Sequence, residues 1–311
     1  MTDPHHPATP PAPQPWPEIS DRPLLGANGT EAMQALLADG DGVMPVDYFK
    51  VGPFMGREAI AGLAARYPLM LHLDDTLSGH QPLEADAIEH IVDWIRLTGT
   101  PWTSEHIGFG VADVSLSDLL ITRPASDRLS YDRALANIIR NARALAGAID
   151  VPLLLENIPL FPNMAHLHVC EPEFISVVIR ETGSDMLLDL AHARVSAHVL
   201  GYDVYDYLSQ LPLDRVVELH LSGPRKLVEV DADRQAQVRR EAAEIAHILP
   251  FSDDHLIDAH EPMREEDYRI LEWTLARATP RAVSLEYYRK PEALRQQLER
   301  LNEILGRRAA H

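Results

Sequence analysis

Only one cysteine, Cys170, occurs in the 311 residues, so no disulfide framework can form within the chain. That scarcity suits a reducing cytoplasm. The HVCEPEF setting of Cys170 supplies no base to activate the thiol, which points to a structural role. Long apolar runs are missing too: even VPLLLENIPL is interrupted by polar groups well short of the ~20 residues that cross a bilayer. The opening MTDPHHPATPPAPQPWPEISDRP lacks the apolar core of a secretory signal. Its proline content instead predicts a disordered tail over 1–23, with an incidental His5–His6 pair, ahead of a single domain over 24–311. Basic residues are few, 28 Lys and Arg against 47 Asp and Glu, giving a net charge of -19. Nonspecific nucleic-acid binding needs a basic face to displace counterions, so neither nucleic acid nor membrane is an expected partner. Carboxylates that a metal ion would neutralise explain part of the acidic excess.

What is present is alternation. Eight apolar runs, over 43–52, 68–73, 102–109, 152–158, 185–190, 215–222, 254–260 and 281–288, are separated by helix-length segments. Parallel strands need such crossovers, and strands buried on both faces read as near-continuous apolar runs. Residues 129–149 carry apolar side chains at three-and-four spacing, 171–183 open with a proline and close with a glycine, and 290–308 form a final amphipathic helix. The fold expected is α/β, a single (β/α)8 TIM-like barrel of a size one domain reaches. A polar helix over 232–249 is extra, after the sixth of these strands; it reads as a solvated cover for the barrel, or, through Arg234, Arg239 and Arg240, as a docking element for a partner or a substrate leader.

In such barrels the carboxyl ends of the strands line the active-site mouth. Here those ends carry His72, His106, Glu156, Asp189, His220, Asp258 with His260, and Glu286, while His192 follows Asp189 in DLAH. A titratable group at a buried strand end is costly unless something pairs with it. Imidazole with carboxylate and no thiolate suits iron, manganese or zinc, and nine donors exceed what one ion uses. A bridged cluster is therefore expected, with Glu156 as a bridge. Asp258 and His260, two apart, share a strand face and form a chelating pair, whereas Glu105 should point away from the ligands. Asn157 is placed to orient Glu156 or to cap backbone, and Tyr287 and Arg289 to meet a substrate or to pack. No catalytic acid or base is singled out. Metal-assisted hydrolysis of a phosphoester and isomerisation of a sugar stay open alongside oxidation. A pure binding module would leave the ligand set unexplained.

In order, the segments SEHIGFG, LLLENIP, LLDLAH, VVELHLSG, LIDAHEP and SLEYY resemble the multinuclear non-heme iron-dependent oxidative enzymes, including the methanobactin-biosynthesis type. The likeness covers about residues 43–305. It implies two or three iron ions, Fe(II) or Fe(III), and O2-dependent oxidation of a peptide or a peptide-borne cysteine, a substrate that in this family is often delivered by a small partner protein. His72, His106, Glu156, Asp189, His220, Asp258, His260 and Glu286 match the family's iron-binding positions, while His192 stands where many members have asparagine. Three departures mark a divergent branch. Glu286 is followed by Tyr287 and Tyr288 instead of Arg-Asp, the connection between His220 and Asp258 is long, and DYFKVGPF lacks the usual glutamate-bearing first strand. The D-x-x-H and D-x-H pairs also resemble those of endonuclease IV-type trinuclear zinc barrels and the wider sugar-isomerase-like superfamily. By that likeness His192, Asp258 and His260 would hold a third ion.

Overall fold

Eight parallel strands close into a barrel in the computed structural model, which describes residues 12–18, 22–39, 45–112, 128–160, 167–245 and 252–309. Its staves are β1 (Leu24–Asn28), β2 (Tyr48–Val51), β3 (Leu69–Thr76), β4 (Thr103–His106), β5 (Leu153–Glu156), β6 (Asp185–Asp189), β7 (Val216–Leu221) and β10 (Ala282–Leu285). Between them run α1 (Glu31–Asp39), α2 (Arg57–Ala64), α3 (Ala85–Thr98), α4 (Tyr131–Ala148), α5 (Pro172–Thr182), α6 (Leu190–Leu200) and α7 (Val204–Ser209). The crossover from β7 to β10 is different. It contains an antiparallel hairpin of β8 (Gly223–Lys226) and β9 (Leu256–Glu261), with α8 (Ala232–Ile245) in the hairpin connection and α9 (Glu265–Leu275) after it. The chain then finishes on α10 (Pro291–Ala309).

The expected architecture holds, but the staves are not the eight expected. LLGAN at 24–28, not anticipated as a strand, pairs with both β2 and β10 and closes the ring. The run at 254–260 leaves the barrel to form the hairpin, so β7 pairs directly with β10. The extra helix therefore follows the seventh stave, and α8 packs on the hairpin through Val238 against Leu227 and Ile257. Residues 246–249 of its expected span lie outside those described.

Inside the ring, residues two apart share a face and stack in layers. Leu24, Tyr48, Met70, Trp102, Leu154, Leu187 and Ala282 fill the base as one apolar plug. Gly26 is required beside it, because a Cβ there would overlap the Tyr48 ring. Two residues further along these staves come Lys50, His72, Ser104, Glu156, Asp189 and Ser284, where the interior turns polar. The larger apolar cluster lies outside the ring, between staves and helices. The tail expected over 1–23 is in part ordered: Trp16 closes the base, its ring 4.9 Å from Tyr48 and 5.8 Å from Trp102. His5 and His6 lie outside the described residues. Among the described residues no helix is long and apolar enough to cross a membrane.

Candidate metal centre

All nine candidate ligands gather at the carboxyl mouth of the barrel. His72, His106, Glu156, His192, Asp258, His260 and Glu286 line a cavity of about 790 Å³, and Asp189 and His220, fully buried, sit behind them. Glu156 is the centre. Its Oε2 faces His72 Nε2 at 3.4 Å and His106 Nε2 at 3.5 Å, and its Oε1 faces His220 Nδ1 at 3.4 Å and His192 Nδ1 at 3.5 Å. Two triplets, His72–His106–Glu156 and Glu156–Asp189–His220, bring ligand atoms within 4.8 Å of one another and share the Glu156 carboxylate. The third set is joined only pairwise: Asp258 Oδ2 lies 3.6 Å from His192 Nε2 and 3.3 Å from His260 Nδ1. His260 does not follow regular strand alternation. Its φ of 47° is left-handed, a strained conformation for a residue with a Cβ, and its Nε2 meets Glu286 Oε2 at 3.0 Å.

Three of the imidazoles, those of His72, His192 and His220, are oriented by a second nitrogen, as ligating histidines commonly are. Ser104 Oγ bonds His72 Nδ1 at 2.8 Å, and the carbonyl of Asn157 accepts from His192 Nδ1 at 2.8 Å. Glu218 Oε1 stands 3.3 Å from His220 Nε2, turning Nδ1 toward Glu156 and Glu286. Of the two roles open to Asn157, orienting Glu156 or capping backbone, the structure shows the second: its side chain clamps the backbone of Asp189, at 2.9 and 3.0 Å. Glu105 points away from the triplets, and its Oε1 accepts the backbone N–H of His106 at 2.8 Å. Cys170 is buried beneath the carbonyl of Ile158, and burial pushes its thiol up, away from reactivity.

Electrostatics divides the histidines. Burial drives His106 down to about 4 and, with Lys50 adding to it, His72 well below the ordinary imidazole range, so both are neutral donors. Burial would lower His192 and His260 as well, but Asp189 and Asp258 push His192 up to about 10, and Asp258 and Glu286 push His260 up to about 9. Burial raises Asp189 to about 7. Glu156, which burial alone would raise, is held well below the usual range by His106, His220 and His72. Among the described residues, Glu156 Oε2 and Asp189 Oδ2 are enclosed and accept no hydrogen bond. An orphaned buried carboxylate oxygen costs about 1–3 kcal/mol or more, which a cation would offset. The donor set therefore fits bound divalent metal.

Three neighbours escaped the sequence. Lys50 on β2 pairs with Glu286 Oε1 and lies 3.5 Å from His220 Nδ1; its signal was a charge inside the apolar stave YFKV. Glu218 accepts from Trp102 Nε1 at 2.8 Å and Ser284 Oγ at 3.0 Å as well as facing His220, and two-residue alternation from His220 would have found it. Tyr288 lines the cavity beside His260, whereas Tyr287 is buried and Arg289 pairs with Glu261. The cavity also has an apolar lining, to which Val51, Phe54 and Met55 contribute.

A closed parallel barrel with a histidine–carboxylate cluster at its mouth defines an α/β barrel of the TIM type. Among solved structures it resembles a D-tagatose 3-epimerase-like protein (TM-score 0.50, 14% identity, 91% of this chain and 97% of that one). It also resembles an IOLI protein with a bound zinc atom (TM-score 0.52, 11% identity, 91% and 98%). At such identities the likeness shows the fold alone. More particularly, residues 41–306 match the RiPP precursor modification enzyme MbnB/TglH/ChrH, and the chain belongs to that family. Among curated relatives, a UPF0276 protein of Caulobacter vibrioides is 29% identical over 178 residues, 56% of this chain and 61% of its own length. The Bordetella pertussis UPF0276 protein is 29% identical over 231 residues, 73% of this chain and 71% of its own. The chain thus spans about three fifths of the length of the first of these relatives.

Proposed function

We propose that the protein is an O2-dependent oxidase that modifies a peptide, or a cysteine carried on one, using two or three non-heme iron ions at the barrel mouth. Family membership supports the peptide substrate. The observation that carries the metal is the Glu156 carboxylate, buried between two donor triplets with an oxygen that nothing else satisfies. His72, His106 and Glu156 would hold one ion, and Glu156, Asp189 and His220 a second, while Asp258, His192 and His260 stand beside them. Iron, when bound, would supply O2 activation and capture of a thiolate; the ligand types also accept zinc or manganese.

The chain's own part is positioning. Val51, Phe54 and Met55 offer apolar lining that would shield bound substrate from water, and Tyr288 lines the same cavity beside His260. A cavity of about 790 Å³ takes a short peptide segment, which suits delivery by a small partner protein in a cytoplasm where thiols stay reduced. His260, 23% exposed and bonded through Nε2 to Glu286, is placed to exchange a proton with substrate. Protein reconstituted anaerobically with Fe(II) is expected to take up O2 in the presence of cysteine-bearing precursor peptides and to change their mass. Full turnover with zinc alone and no O2 uptake would overturn the proposal.

A further inference from the structure

The stave β1 brings to the mouth a polar side chain that belongs to neither donor triplet. Its interior positions run Leu24, Gly26, Asn28, which sets Asn28 level with Lys50 of β2 and, one residue past the Ala27–Leu285 pairing, beside the end of β10. Asn28 and Thr30 both line the cavity. Asn28 Oδ1 and Thr30 Oγ1 are enclosed, yet neither has a hydrogen-bond partner among the described residues. For Thr30 this runs against its position. It directly precedes α1, and its carbonyl accepts the N–H of Gln34 at 2.9 Å, a place where a threonine hydroxyl ordinarily caps the first turn. Apolar surface adjoins the pair. Met55 Cε lies 3.7 Å from where a Gly29 Cβ would stand, and the preceding residue, Phe54, is 76% exposed while lining the same cavity. Its ring is seated on Gly52, where any Cβ would come within 2.6 Å of it. Two neutral oxygens with the acidic Glu31 as neighbour favour N–H donors over anions, and the adjacent Lys50 is already engaged by Glu286. An extended peptide presents that combination, with backbone N–H groups along its edge and side chains alternating off it.

We propose that Asn28 and Thr30 accept backbone N–H groups of the substrate peptide, holding it extended along the end of β1 with an apolar side chain against Phe54. The assignment rests on the peptide substrate proposed above and on no particular chemistry at the metal. The test uses full-length protein loaded with Mn(II) under argon, so that nothing turns over, and a library of capped pentapeptides with cysteine at the centre. Peptides retained with the protein on a size-exclusion filter are counted by mass spectrometry. The unaltered protein is expected to retain peptides with an apolar residue beside the cysteine, a preference that Phe54→Ser erases. Thr30→Val and Asn28→Ala should each weaken retention about tenfold, whereas Thr30→Ser keeps it. Backbone N-methylated copies of the retained peptides should bind the unaltered protein as weakly as the originals bind those two variants. Because neither oxygen bonds to the rest of the described protein, both variants should keep the urea midpoint and the Mn(II) content of the unaltered protein. Peptide retention that survives Thr30→Val and Asn28→Ala would overturn this inference alone. So would loss of Mn(II) from Asn28→Ala, which would make Asn28 a metal ligand, or a lowered midpoint in Thr30→Val, which would return the hydroxyl to helix capping. No retention by the unaltered protein would sink the peptide substrate itself, and this inference with it.

Discussion

Glu218 and His220 occupy adjacent interior layers of one stave, and the carboxylate gives the imidazole its direction. Glu218 is wholly buried and is approached by Trp102, Ser284 and His220 at once. Outer carboxylates of this kind typically contribute a factor of about 10–100 to metal affinity. Glu218→Gln keeps the volume and an acceptor for Trp102 but weakens the hold on His220. It is expected to lower Mn(II) affinity about 10-fold or more, with the unfolding midpoint little changed; equal affinity in a competition titration would refute the assignment. At this scale the sequence was legible wherever chemistry announced itself by residue type at a strand end, as with His72, His106 and Glu156. It failed where a residue acts through geometry. Nothing in YFKV says that the Lys50 ammonium reaches Glu286 two staves away, and the sequence left Asn157 open between orienting Glu156 and capping backbone because it does not show that Asp189 lies alongside.

Among the elements, β1 was missed because five residues containing Gly26 and Asn28 carry weak strand propensity and follow a proline-rich stretch. Its reason for existing is closure of the ring, a long-range demand that local pattern does not encode. β9 was misassigned for the converse reason: LIDAHE has the apolar start of a stave, yet it pairs antiparallel with β8. Gly26 shows how closely the closing strand is fitted. Since any Cβ would meet the Tyr48 ring, and Tyr48 is anchored through its hydroxyl to Ser284 Oγ at 2.7 Å, the ring has little room to yield. Gly26→Ala should cost about 1–3 kcal/mol by overpacking. Urea unfolding tests this, and an unshifted midpoint would show that the plug accommodates a methyl group.

Taken as a whole molecule, protons and metal compete for one cavity. His192 at about 10 and His260 at about 9 lie above the ordinary imidazole value of 6.5, so the metal-free fold retains protons that the unfolded chain releases. Their stabilisation is complete below pH 6.5 and is lost as pH rises through 9 and 10. Ligation needs neutral imidazole, so ion affinity rises over the same window. The gap between melting temperatures with and without Mn(II) should therefore widen from pH 6.5 toward 9; a constant gap would count against these protonation states. The hairpin adds a matter of timing. His72, His106, Glu156, Asp189 and His220 belong to staves locked into the ring, whereas Asp258 and His260 ride on a two-stranded hairpin that, among the described residues, pairs with no stave of the ring. Local opening of that hairpin costs less than opening the barrel. An isotope chase of the loaded protein should accordingly resolve a slow class of ion held by the ring and a faster one wherever the hairpin supplies a donor.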